Sequence, residues 1–301
     1  MHRALVTGAS GFIGSRLCKD APAGVSLWGT RFRGACPENV AALSCSLEDK
    51  QSLVRAVEQS EPEVVAHLAY DQKRPQATVE GGTRLLLEAM GARPGVRLIL
   101  LSTGAVFDGE RAPYRETDEP LPLTPYGRAK KRAEAMWASA GGLVVRIGLT
   151  YGFDPPDPRT AALYAGLCGK GFPHPYFDDE IRSPLFVGDL SAALWKLAFL
   201  DDPPPVLHLA GPQSMSRYEL ARRLAAGWKF SPEGIPRASA RQQGAKRPRD
   251  TSLDCSLARS ILGFAPCTVE QAMEKETLRN HRRCGEKIRN PDYSRVRFAR
   301  E

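Results

Sequence analysis

The chain opens His2-Arg-Ala-Leu-Val-Thr7 and continues Gly8-Ala-Ser-Gly11-Phe-Ile-Gly14. A short apolar run enters a glycine-rich turn, and an amphipathic stretch follows from Phe12. This order predicts strand, turn, helix, the arrangement that sets a pyrophosphate against a helix N-terminus. Glycines permit the tight turn and the close backbone approach, and the helix dipole favours the anion. The spacing is Gly-x-x-Gly-x-x-Gly. Gly8, Ser10, Gly11, Phe12, Ile13 and Gly14 are therefore the expected dinucleotide cradle.

Outward from this turn, apolar runs alternate with helical patterns. Leu5–Thr7, Val25–Trp28, Val64–Leu68, Leu98–Ser102 and Leu143–Ile147 read as strands. Phe12–Lys19, Lys50–Ser60, Val79–Met90 and Pro125–Ala140 read as helices. Continuous apolar strands alternating with helices mean a parallel sheet covered on both faces. The expected fold is α/β, a Rossmann-type doubly wound parallel sheet over residues 1–150. Residues 151–301 are expected to form a smaller substrate-binding cap, with Val206–Leu209 as a strand and a basic tail. There Ser216–Trp228 reads as a helix with Ser216 as N-cap and Glu219 three residues on. Arg237–Asp250 reads as loop, and Thr268–Arg282 as the last helix.

The 301 residues carry a net charge of +8, which invites a nucleic-acid reading. The distribution argues against it. From Lys275 to Glu301 there are nine Lys/Arg and four Asp/Glu, so that tail holds +5 and the rest only +3. No nucleic-acid motif accompanies it. The seven cysteines are scattered without a Cys-x-x-Cys pair and read as reduced packing residues. His174, His208 and His281 have no ligand spacing, so no metal is expected. No apolar run approaches the roughly 20 residues that span a bilayer. The glycine turn begins at once, so no leader peptide and a cytoplasmic location are expected.

Tyr126 and Lys130 stand four apart in a predicted helix and share one face. An ammonium close to a phenol favours the phenolate, so Lys130 is expected to lower the pKa of Tyr126. That would make Tyr126 a proton donor to, or acceptor from, a carbonyl or hydroxyl. Thr103 ends the Leu98–Ser102 run, at the edge where open parallel sheets bind ligands. Its hydroxyl is placed to hold a substrate oxygen near Tyr126.

Gly8-x-x-Gly11-x-x-Gly14, His67-Leu-Ala69, Ser102-Thr103, Tyr126-x-x-x-Lys130 and Arg146-Ile-Gly-x-x-Tyr-Gly152 occur in one order. In this the chain resembles the extended short-chain dehydrogenases/reductases over essentially its whole length. Ser102-Thr-x-x-Val-Phe-Asp-Gly109 and Arg247-Pro-Arg-Asp-Thr-Ser-Leu-Asp254 are similar to the dTDP-4-dehydrorhamnose reductase branch. The resemblance implies Tyr126 as catalytic acid, Lys130 on the nicotinamide ribose, Thr103 orienting the carbonyl, and Leu68 and Ala69 bordering the cofactor. It implies a keto-sugar nucleotide or similar carbonyl compound as substrate. Gly104 and Ala105 depart from the branch and cannot supply the acidic pair of a dehydratase.

Gly29-Thr-Arg31-Phe-Arg33 follows the second strand. An acidic residue there would mark NAD; cations suit a 2′-phosphate, so NADP(H) is expected. Arg182 and Arg247, from distant segments, are candidates for a substrate diphosphate. Tyr70-Asp-Gln-Lys-Arg74 should border the pocket, without an assignable role, and His67 reads as a packed strand-end residue. Two rivals remain: an epimerase that retains NAD, and a non-catalytic nucleotide-binding regulatory subunit. The basic tail would serve a partner or a homodimer.

Overall fold

The computed structural model describes residues 2–284 apart from 92, 155, 245 and 246, with the side chains of 277–284 outside that description. Most of the basic tail therefore lies outside the described residues. Seven strands form one parallel sheet: β1 His2–Thr7, β2 Val25–Arg31, β3 Ala41–Ser44, β4 Val64–His67, β5 Arg97–Thr103, β6 Leu143–Ile147 and β7 Val206–Leu209. Their order is β7-β6-β5-β4-β1-β2-β3. The order reverses beside β1, which pairs with β2 on one side and β4 on the other. Ligands of such sheets bind in the crevice at the carboxyl ends of the strands there.

The continuous apolar runs are explained by the two covered faces. Ala4, Val6, Ile99, Leu101 and Val145 pack with Leu17, Leu190 and Leu194. Leu5, Val65, Leu100 and Val144 pack with Leu53, Leu86, Ala133 and Trp137. Neighbours along a strand point to opposite faces, so both must be apolar. The first face is covered by α1 (Phe12–Lys19), and the second by α2 (Lys50–Ser60), α3 (Gly82–Met90) and α4 (Pro125–Ser139).

After β6 the chain builds a second core, in which Tyr151, Phe153, Leu163, Tyr176, Phe186, Leu220 and Leu224 meet. Its helices include α5 (Pro158–Ala165), α6 (Val187–Ala198) and α7 (Arg217–Gly227). Ser216 caps α7 by accepting from Glu219 N at 3.0 Å, as its position predicts. Helix α6 also packs on α1, and β7 returns to the main sheet beside β6. Two more helices follow, α8 (Ser256–Leu262) and α9 (Val269–Cys284). Buried Arg16 of α1 holds Glu276 of α9 at 3.0 Å, tying the two ends of the described chain together.

Three sequence readings need correction. Strand β3 was not read, because it is a short, mostly exposed edge strand with little apolar pattern. The third helix begins before Val79, with a wide turn over Gln76–Gly81 that leads into α3. Arg237–Asp250 is not all loop: Arg237 and Ala238 pair with Tyr176 and Phe177.

Candidate functional site

The glycine turn works by close approach. Gly8 has φ +73°, and a Cβ there would sit 3.0 Å from the Ala69 Cα. A Cβ on Gly14 would sit 2.2 Å from the Gly8 carbonyl oxygen. No side chain caps α1 at Gly11. The first-turn N–H groups and the helix dipole therefore make an anion cradle that fits a pyrophosphate. Ile13 lines a cavity of about 530 Å³ at the strand ends. Phe12 turns away and packs on the second core, its ring against Gly152.

The Arg31–Gly34 turn is pinned to this cradle. The Ser10 hydroxyl donates to the Arg33 carbonyl at 2.8 Å, and Arg31 Nη1 donates to the Gly34 carbonyl at 3.2 Å. The Arg33 guanidinium lies 5.2 Å from the ring centre of Phe32, which is exposed. The backbone that carries both arginines therefore sits beside the glycine turn.

His67 is a packed residue, as its sequence position predicts. Thr7 Oγ1 accepts from the N–H groups of Leu68 and Ala69 and donates to His67 Nδ1 at 2.7 Å. His67 Nε2 then donates to Thr83 Oγ1 at 3.2 Å. Burial pushes its pKa down to about 3, so the ring is neutral. The backbone donors of Leu68 and Ala69 are thus already engaged; Leu68 meets the cavity through its side chain.

Strand β5 delivers Thr103, and α4 delivers Tyr126 and Lys130, all to the lining of this cavity. Pro125 opens α4, and the Thr124 hydroxyl accepts from Gly127 N at 3.1 Å. Gly127 lets the helix start close to the strand end: a Cβ there would sit 2.3 Å from the Ala105 carbonyl oxygen. Thr103 Oγ1 accepts from Ala105 N at 3.2 Å, so it caps the following turn while facing the cavity. A Cβ on Gly104 would sit 2.9 Å from the Thr251 carbonyl oxygen, which accounts for glycine at this point.

The Tyr126–Lys130 pair differs from the sequence expectation. Lys130 Nζ donates to the Leu101 carbonyl at 2.7 Å, and burial pushes its pKa down to about 8. Tyr126 is pushed well above the ordinary phenol range, first by burial and then by the adjacent Tyr70 phenol. The Arg159 guanidinium pulls it the other way, with less weight. Tyr126 is therefore held protonated, poised to give a proton rather than take one.

Arg159, Arg182, Arg217 and Arg247 line the same cavity. Arg182, Arg217 and Arg247 gather around Glu180, which is 1% exposed, while Arg159 pairs with Asp157 at 2.9 Å and donates to the Thr150 carbonyl at 3.1 Å. Arg217 Nε is 2.8 Å from Glu180 Oε2, although the two are out of line for a hydrogen bond. Arg182 and Arg247 each approach Glu180 at 3.6 Å. Arg182 also donates to the carbonyls of Ile181, Pro248 and Arg249, so it fastens the wall. Arg159, Arg217 and Arg247 also border a second, largely apolar cavity of about 360 Å³, lined by Leu163, Phe177, Leu220 and Leu224. Burial pushes the Arg217 pKa down to about 10; Glu180 pulls it back up, and Arg159, Arg182 and Arg247 add smaller downward pushes.

Residues 1–281 match the model of the RmlD substrate binding domain. The chain belongs to this family. Curated relatives include methionine adenosyltransferase 2 subunit beta of Pongo abelii, 29% identical, with 92% of this chain and 87% of the relative covered. A solved dTDP-4-dehydrorhamnose reductase from Bacillus anthracis, in complex with NADP, is 20% identical at a TM-score of 0.77, covering 93% of this chain and all of that one. A UDP-glucose 4-epimerase from Thermotoga maritima, solved with UDP-glucose, is 23% identical at a TM-score of 0.78, covering 94% of this chain and 99% of that one.

In this RmlD-type chain the sequence reading missed two residues that line the cavity, Arg159 and Arg217. Nothing in the local sequence marks Arg159 or Arg217, since α5 and α7 bring them to the cavity only in the fold. Tyr70 was noticed without a role. Its ring lies 5.4 Å from that of Tyr126 and 5.2 Å from Lys130 Nζ.

Proposed function

We propose that the protein is an NADPH-dependent reductase of a keto-sugar nucleotide or a similar carbonyl compound. What supports this most is one cavity lined both by Thr103, Tyr126 and Lys130 and by four arginines. A neutral proton donor then faces a carbonyl, and guanidiniums hold an anion attached to it.

Gly8, Ser10, Gly11, Ile13 and Gly14 would hold the cofactor pyrophosphate, with Leu68 and Ala69 alongside. Arg31 and Arg33 would take a 2′-phosphate, which favours NADP(H) over NAD. Lys130 would hold the nicotinamide ribose. When bound, the nicotinamide supplies the hydride. Thr103 orients the carbonyl oxygen, and Tyr126 gives it a proton as negative charge builds there. Residues 151–301 act as the substrate cap: Arg159, Arg217 and Arg247 bind a diphosphate, with Arg182 setting their frame. The apolar cavity beyond them accepts the nucleoside.

A second reading has a specific observation behind it. The curated relatives named as methionine adenosyltransferase 2 subunit beta span nearly the whole chain. On that reading the fold binds a dinucleotide and serves a partner without turnover.

Purified protein with NADPH and a dTDP-4-dehydro-6-deoxyhexose separates the two. The reductase reading expects NADPH consumption, and Tyr126→Phe lowers kcat about 10²–10⁴-fold while the protein stays folded. Tight dinucleotide binding with no turnover across a panel of keto-sugar nucleotides, and no effect of Tyr126→Phe, favours the regulatory subunit.

A further inference from the structure

The ring of Tyr70 rests where two functional groups meet. It follows directly after the Ala69 contact that closes on the glycine turn. One side of the residue is open to solvent, the side chain being about half exposed, at 47%. The ring also covers the Lys130 ammonium at 5.2 Å and lies tilted by 35° against Tyr126, 5.4 Å away. Lys130 is only 4% exposed. Its ammonium has the Leu101 carbonyl on one side and the Tyr70 π face on another. A desolvated cation gains from such a face, so the ring has a physical reason to stay.

We propose that Tyr70 is a displaceable gate: its ring occupies the nicotinamide end of the cleft, over Lys130 and Tyr126, and dinucleotide binding requires it to move out. This rests on the reading of the cleft as a dinucleotide site. A ribose hydroxyl on Lys130 and an aromatic ring over the same ammonium compete for one place. The gate therefore lowers apparent cofactor affinity by the fraction of molecules in which it is closed. It also keeps Lys130 and Tyr126 covered until cofactor arrives.

The test uses the full chain and two readouts. The first is the rate at which limiting acetic anhydride acetylates Lys130, followed by peptide mass spectrometry, with half-exposed Lys131 as internal reference. Tyr70→Ala should acetylate Lys130 about tenfold faster than wild type, and Tyr70→Phe, which keeps the ring, should match wild type. The second is NADPH binding by nicotinamide fluorescence, where Tyr70→Ala should bind about fivefold to tenfold tighter. Circular dichroism of both variants controls for folding; if Tyr70→Ala does not fold, Tyr70→Val takes its place. Unchanged Lys130 acetylation in the ring-deleted variant overturns the gate. So does weaker NADPH binding, which would make the ring a platform for the cofactor. If acetylation rises but neither wild type nor variant binds NADPH or NADH, the dinucleotide reading fails, and the gate fails with it for that separate reason.

Discussion

At the residue scale, the least visible charge carries much of the frame. Glu134, one helical turn beyond Lys130, accepts from Arg146 Nη2 at 2.9 Å and from Arg146 Nε at 3.2 Å, and also accepts from the Ser102 hydroxyl. Glu134 and Arg146 are both buried, so removing one charge strands the other. Glu134→Gln should lower stability by about 3–5 kcal/mol in urea denaturation. A loss within the scatter of surface variants would mean that the pair is not holding α4 to β5 and β6. Of the candidate site residues, those whose place in the fold follows from neighbours in sequence were legible: Gly8, Gly11, Gly14, Tyr126 and Lys130. Of those made by chain crossings, Arg182 and Arg247 were read, whereas Arg159 and Arg217 were not. Arg217 reaches Glu180 only because α7 packs beside the strand pair at Ile181–Arg182. The direction of the Tyr126 shift was misread for the same reason, since burial and Tyr70 outweigh a lysine that is turned to Leu101.

At the element scale, α4 is positioned by what it lacks. Glycine at 127 lets its first turn sit against the Ala105 carbonyl, and this brings Tyr126 to the cavity that Thr103 also lines. Gly127→Ala must push the helix start outward. A displacement near 1 Å at a reacting group costs about 100-fold in rate, so kcat for carbonyl reduction should fall about that far. Overpacking should cost about 1–3 kcal/mol of stability as well. Wild-type kcat in this variant would show that α4 has room to spare. The strands and helices of the first 150 residues were readable because the sheet is covered on both faces, so each strand is an unbroken apolar run. Edge strand β3 lacked that signal. The two-residue strands after β6 lacked it too, because their pairing depends on remote partners such as Arg237 and Ala238.

At the scale of the whole molecule, two buried neutral histidines link folding to pH. Burial holds His67 down to about 3 and His208 down to about 4. Both return to about 6.5 when the chain unfolds. Between these values the unfolded chain binds more protons, so stability rises with pH across the window and falls on acidification. The two together set a slope of up to about 2.7 kcal/mol per pH unit near pH 5. His208→Asn should roughly halve that contribution between pH 6.5 and 4.5, measured by urea denaturation at each pH. An unchanged slope would contradict the assignment of His208 as neutral in the fold.

The most direct test of the central claim is a titration of the purified protein with NADPH and with NADH, following nicotinamide fluorescence, in wild type and in Arg31→Ala/Arg33→Ala. The account predicts that NADPH binds more tightly than NADH and that the double variant loses this preference while still binding NADH. Tighter binding of NADH, NAD retained through purification, or no binding of either dinucleotide would contradict it.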